Sequence, residues 1–151
     1  MGGAGAIPMN PELLDLAEKG DPKAVDLMMD WAHGPAGHFG GHPVPGLHQI
    51  NLGGSIVING SVKNALGVDF RACDNYKNGF EAAKKIKCPA INILGDRDRM
   101  CPIKEGKKLA DNIENSEVAI IENCGHMILL EEAGQSLELL KTFIRKNHPA
   151  E

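Results

Sequence analysis

Hydrophobic positions follow a helical spacing in the first part of the chain and a strand-like spacing further on. Asn10 and Pro11 precede Leu13, Leu14, Leu16 and Ala17, and Gly20 follows. A capping Asn, a proline at the first helical position and a closing glycine predict a short helix. Asp21 and Pro22 repeat the device ahead of Val25, Leu27, Met28, Met29 and Trp31, and Gly34 and Pro35 stop it. Two short helices joined by one tight corner are expected. From His33 to Leu47 so many Gly and Pro intervene that an irregular loop is expected. Residues 49–66, apolar with scattered Gly, fit short helices or a strand. Helical spacing then returns between Val68 and Ile86.

The character changes at Cys88 and Pro89. PAINIL, residues 89–94, and EVAII, residues 117–121, are short apolar runs, and each looks like a buried parallel strand. A helix starting at Pro102 lies between them, which makes a β-α-β unit with a right-handed crossover. Leu137, Leu140, Phe143 and Ile144 predict one face of a last amphipathic helix. The class is therefore α/β, with a helical segment over 1–88 and a β-α-β-α segment over 89–151. Two parallel strands alone leave both sheet edges unpaired. A homo-oligomer, or a complex with a complementary N-terminal chain, is expected on that ground.

With 151 residues, 42% of them hydrophobic and 24% charged, the chain is long enough for a core of its own or for a piece of a larger one. The net charge is -4 with Lys and Arg scattered, which predicts no nucleic-acid partner and no membrane partner. The start MGGAGAIPMN has neither the basic nor the apolar region of a secretion signal, and Ala6 stands where a myristoylation signal wants Ser or Thr. A cytoplasmic location is expected. Cys73, Cys88, Cys101 and Cys124 form no C-x-x-C pair, so four reduced thiols are expected. His33, His38, His42 and His48 share one loop, yet no Cys or carboxylate alternates with them and Gly and Pro deny a helical i, i+4 alignment. No metal is expected.

In open α/β sheets, ligands bind beyond the carboxyl ends of the strands. Gly95, Asp96, Arg97 and Asp98 follow the first strand, and Asn123, Cys124, Gly125 and His126 the second. Neighbouring strands lie about 4.8 Å apart, so a carboxylate leaving one can meet an imidazole leaving the next. Such a carboxylate fixes the imidazole tautomer and stabilises the imidazolium formed when the histidine acts as general base. Asp98 or Asp96 can serve as the acid on spacing alone. Cys124 reads as a nucleophile or as a small buried residue, and Met28, Met29 and Trp31 as helical core or as acyl-pocket lining.

The run ILGDRDRMCP, a helix, then AIIENCGHMILLEE and a closing helix resemble the C-terminal end of an α/β-hydrolase. In that pattern G-x-x-D carries the triad acid and G-H the triad base, which maps Gly95 and Asp98 onto the first and Gly125 and His126 onto the second. DFRACDNYKNGFEAAKKIKCP resembles the stretch that closes the family's helical cap. The resemblance implies a partial α/β-hydrolase fold with short parallel strands, residues 1–88 as a helical cap and 89–151 as the last part of the core. It departs from the family at the nucleophile, a Ser on a G-x-S-x-G elbow. Ser55 sits in GGSIV, Ser61 in NGSVK, Ser116 in ENSEV and Ser136 in GQSLE, and none makes that elbow. GGAGAIPM resembles the chain just after the core strand that precedes the cap, which would put Met1 downstream of the nucleophile. The implied function is acyl hydrolysis of an ester, amide or similar bond in a small-molecule substrate once the enzyme is complete, with no metal or organic cofactor. The chain alone is expected to be inactive. The alternatives are a non-catalytic binding or interaction module and one half of a split hydrolase.

Overall fold

The computed structural model describes residues 4–38, 49–60 and 64–148. Helix α1, Pro11–Lys19, forms between the signals read at its ends. Asn10 Oδ1 accepts from the backbone N–H groups of Glu12 at 2.9 Å and Leu13 at 3.1 Å, which satisfies two donors that a helix start leaves open. At the other end Gly20 takes a φ of 70°, where a side chain would be strained, and its N–H donates to the Ala17 carbonyl. The tight corner follows directly, with Asp21 Oδ1 accepting from Lys23 N at 2.9 Å as α2, Lys23–Ala32, begins.

The breaker-rich stretch departs from the expectation of an irregular loop over its first residues. Pro35–His38 makes one helical turn, α3, because Gly34 O accepts from Gly37 N and a proline at the first helical position has no N–H to lose. His42 and His48 lie outside the described residues. The ambiguous segment is helical: α4 spans Gln49–Gly60 and packs on α2. Gly53 admits the Met29 side chain, which a Cβ there would strike. Helices α5, Ala65–Asn75, and α6, Gly79–Ala83, account for the helical spacing before the strands. Leu13, Leu14, Ala17, Ala24 and Phe70 are the buried centre of this helical layer, with Met28 and Trp31 packed against it. Met29 is buried as well, so these three side chains are helical core.

Strand β1, Ala90–Gly95, pairs in parallel with β2, Ser116–Ile121, from Ala90 opposite Ser116 to Gly95 opposite Ile121. Helix α7, Ile103–Ala110, connects them and lies over β1, where Gly106 leaves room for Leu94. On the other face Ile93 and Ile121 pack with Cys124, Ile128, Leu139 and Leu140. The last two belong to α9, Ala133–Asn147, which follows the short α8, Ile128–Glu131.

Two expectations about burial are corrected. Strand β1 is buried from Asn92 onward, but β2 is not, with Val118 41% and Ile120 43% exposed. They share a face with Asn92 and Leu94, and α7 is centred on the β1 side of that face. In α9 the inward positions are Ser136, Leu139 and Leu140, whereas Leu137 and Ile144 stand out in solvent. The helix docks through a face rotated from that stripe, with Ser136 buried and its Oγ 3.5 Å from the Ile128 carbonyl. No described helix is long and apolar enough to cross a membrane.

Candidate active site

Parallel pairing sends both strands out at the same end of the sheet, and short backbone bonds join the two loops that follow. Asp96 N donates to Ile121 O at 3.0 Å and Arg97 N to Cys124 O at 2.9 Å. Gly95 is required here, because a Cβ would overlap the carbonyls of Cys124 and Gly125. Asn123 turns the second loop through a φ of 57°, a left-handed conformation that Asn tolerates better than most residues.

This places Asp98 beside His126. Asp98 Oδ2 lies 2.8 Å from His126 Nδ1, while Oδ1 accepts from the backbone N–H groups of Met100 at 2.8 Å and Cys101 at 2.7 Å. The Asp98 side chain is 0% exposed and that of His126 30%. With an acceptor facing Nδ1, the neutral ring carries its proton there and leaves Nε2 as a bare acceptor, the arrangement a general base needs. The ring lines a mainly apolar cavity of about 340 Å³ with Ile7, Met9, Phe70, Met100 and Cys101. Residues distant in sequence meet there. Asp96 is not the partner of His126: its Oδ2 faces Arg97 Nε at 3.7 Å, and its buried Oδ1 has no hydrogen-bond partner.

The thiols near the ring are inert by environment. Burial, with the Glu131 and Glu132 carboxylates adding to it, pushes Cys124 up to about 12. Burial and the Asp98 charge push Cys101 up to about 11. A thiol is a nucleophile only as thiolate, so neither offers one near neutrality. Ser116 begins β2, at the far end of that strand from His126, and Ser136 is buried in α9. Ser61 lies outside the described residues. His33 is buried with Nδ1 on Met29 O at 2.9 Å, and no group of three or more metal-ligating side chains occurs among the described residues.

Sequence reasoning missed how the end of α2 holds this site. Ala32 O accepts from both His126 N, at 2.8 Å, and Met127 N, at 3.1 Å. Glu131 Oε2 accepts from Gly34 N at 2.7 Å and Gly125 N at 3.0 Å, and Oε1 from Met127 N at 3.2 Å. Arg99, next to Asp98, reaches Asp30 at 3.0 Å and lies over the Trp31 ring. The one local signal was an acidic pair closing the apolar run MILLEE, which by itself reads as solvated surface.

No protein-family model matches the chain. Over 64 residues it is 36% identical to monoacylglycerol lipase ABHD6 of Bos taurus, a match covering 42% of this chain and 19% of that protein. It is 32% identical over 62 residues to a 2-hydroxy-6-oxononadienedioate/2-hydroxy-6-oxononatrienedioate hydrolase of Burkholderia vietnamiensis, covering 41% of this chain and 22% of that one. Among solved structures, a thermophilic esterase superposes with a TM-score of 0.78 at 25% identity, over 96% of this chain and 54% of the esterase. An esterase from Exiguobacterium antarcticum gives a TM-score of 0.77 at 15% identity, over 94% of this chain and 54% of its own. The chain thus spans about half the length of these esterases, and its matches cover about a fifth of the curated relatives. The two parallel strands, the helices around them and these likenesses make the chain a partial α/β-hydrolase fold protein.

Proposed function

We propose that this chain supplies the acid, Asp98, and the base, His126, of a serine-type hydrolase that cleaves carboxylic esters or related acyl bonds. In this reading residues 1–88 form its cap and 89–151 the end of its core. The supporting observation is the 2.8 Å contact between a fully buried carboxylate and a ring that lines an apolar cavity. His126 Nε2 takes the proton of the attacking hydroxyl, Asp98 stabilises the resulting imidazolium, and the ring returns the proton to the leaving group. Ile7, Met9, Phe70 and Met100 suit an acyl chain. The names of the relatives, a monoacylglycerol lipase and several esterases, agree with an ester substrate. None of the four serines lies on a G-x-S-x-G elbow, so the nucleophile and its oxyanion hole come from polypeptide outside these 151 residues.

The test is hydrolysis of p-nitrophenyl butyrate by the chain alone and by the chain joined at its N-terminus to an α/β-hydrolase core segment that carries a G-x-S-x-G elbow. The chain alone should show no saturable turnover. The joined protein should turn over and lose about 10⁴-fold in kcat on Asp98→Asn, the scale for losing the base-orienting carboxylate. Saturable turnover by the isolated chain, abolished by His126→Ala, would refute the assignment of the nucleophile.

A further inference from the structure

Three consecutive backbone N–H groups around His126 all find partners that tie them to α2 or to Glu131. Gly125 N and Met127 N donate to the two Glu131 carboxylate oxygens, and His126 N and Met127 N to the Ala32 carbonyl. The same carboxylate takes Gly34 N at 2.7 Å, which closes the clamp two residues past the end of α2. The approach is as close as backbones allow. A Cβ on Gly34 would stand 2.8 Å from Gly125 N and 2.9 Å from Glu131 Oε2, and a Cβ on Gly125 would strike the backbone of Gly34 and His33. Hydrogen bonds to an ionised carboxylate are roughly twice as strong as neutral ones. Three of them on one side chain therefore hold the loop firmly.

Asp98 fixes only one point of the imidazole, Nδ1. The ring's direction also depends on the backbone it hangs from, which follows a left-handed residue, Asn123, and has no regular structure before α8. We propose that Glu131 is a positioning residue for His126: it locks the backbone on both sides of the ring and, through Gly34, makes the ring's position depend on the end of α2. The proposal rests on the reading of Asp98 and His126 as acid and base. Its consequence is that a displacement of α2, whose Met29 packs into α4, is transmitted to the base.

The test is long-range ¹H–¹⁵N NMR of His126 in the full chain at about pH 8.5, where an ordinary imidazole is neutral. The variants are Glu131→Ala, Glu131→Gln and, as a packing control away from the cavity and from α2, Ile113→Val, at a buried position just after α7. The unaltered chain should show the Nδ1–H tautomer with a sharp Nδ1 proton resonance. Glu131→Ala should lose that resonance and give a mixture of tautomers. Glu131→Gln should fall between, because its single carbonyl oxygen can serve Gly34 and Gly125 but not Met127. Ile113→Val should keep the unaltered pattern. An unchanged His126 spectrum in Glu131→Ala, with β1 and β2 amides still protected, overturns the proposal, as does equal loss in Ile113→Val. If Glu131→Ala does not fold, an unchanged spectrum in Glu131→Gln overturns it. Absence of the Nδ1–H tautomer in the unaltered chain instead overturns the acid–base reading and leaves the clamp to be judged on amide protection of Gly34 and Gly125, whose loss in Glu131→Gln supports it and whose retention sinks it.

Discussion

Replacing Asp98 separates two roles of one carboxylate. Its Oδ1 accepts from two backbone N–H groups, Met100 at 2.8 Å and Cys101 at 2.7 Å, and its Oδ2 faces the imidazole, all with the side chain fully buried. Asp98→Ala removes the acceptor that both backbone donors share, and an unsatisfied buried donor costs about 1–3 kcal/mol. The Met100 bond is only part-buried, so the expected loss is about 2–4 kcal/mol, a large share of the roughly 5–15 kcal/mol that holds a typical domain together. Asp98→Asn keeps a carbonyl oxygen for the same two donors and gives up only the added strength of an ionised acceptor, about 1 kcal/mol. Its amide N–H then points at His126 Nδ1 and forces the proton to Nε2, the wrong tautomer for a base. Asn should therefore preserve most of the stability and remove the catalytic geometry, whereas Ala removes both. Urea unfolding followed by circular dichroism measures the first, provided the slope is shared among the variants. Imidazole ¹⁵N shifts measure the second. Equal destabilisation by Asn and Ala, or a neutral Ala variant, would refute the role given to Oδ1.

Other expectations follow from the same geometry. Cys124, pushed up to about 12, and Cys101, pushed up to about 11, should resist a thiol reagent at pH 8 while the exposed Cys88 reacts; rapid modification of Cys124 in the folded chain would contradict its burial. Because burial favours the neutral thiols, their stabilising effect is complete below the unfolded value of 9.0 and is lost as pH rises through about 11 to 12, so the unfolding midpoint should fall over that alkaline range. Gly95→Ala should cost about 1–3 kcal/mol by overpacking against two carbonyls, and a neutral effect in thermal unfolding would show that the loops yield. We further propose that the chain associates through its strand pair, since Val118 and Ile120 are exposed and β1–β2 is a two-stranded sheet among the described residues. Sedimentation should show an oligomer or a complex that Ile120→Lys weakens, and a monodisperse monomer with a cooperative thermal transition would refute it.

The features legible in the sequence are those set by residues a few positions apart. Asn10 and Gly20 bound α1 because capping is an interaction within one turn, and the apolar runs at 89–94 and 117–121 read as strands, within one residue of β1 and β2, because alternation with a helix is itself local. The meeting of a carboxylate and an imidazole was legible for the same reason, since adjacent parallel strands deliver whatever follows them to one edge. Tertiary structure decided the rest. Asp98 rather than Asp96 faces His126 because two amides, Met100 N and Cys101 N, turn its other oxygen inward. Residues 49–60 became helix because α2 offers an apolar face with Met29 ready to fill the space at Gly53. The exposure of Val118, Ile120, Leu137 and Ile144 depends on which elements lie over them, which no spacing records. Glu131 looks like solvated surface in sequence and becomes the anchor of the His126 loop only when α2 arrives from far along the chain. A hydrogen bond between residues so far apart has no periodicity, so packing alone could specify it.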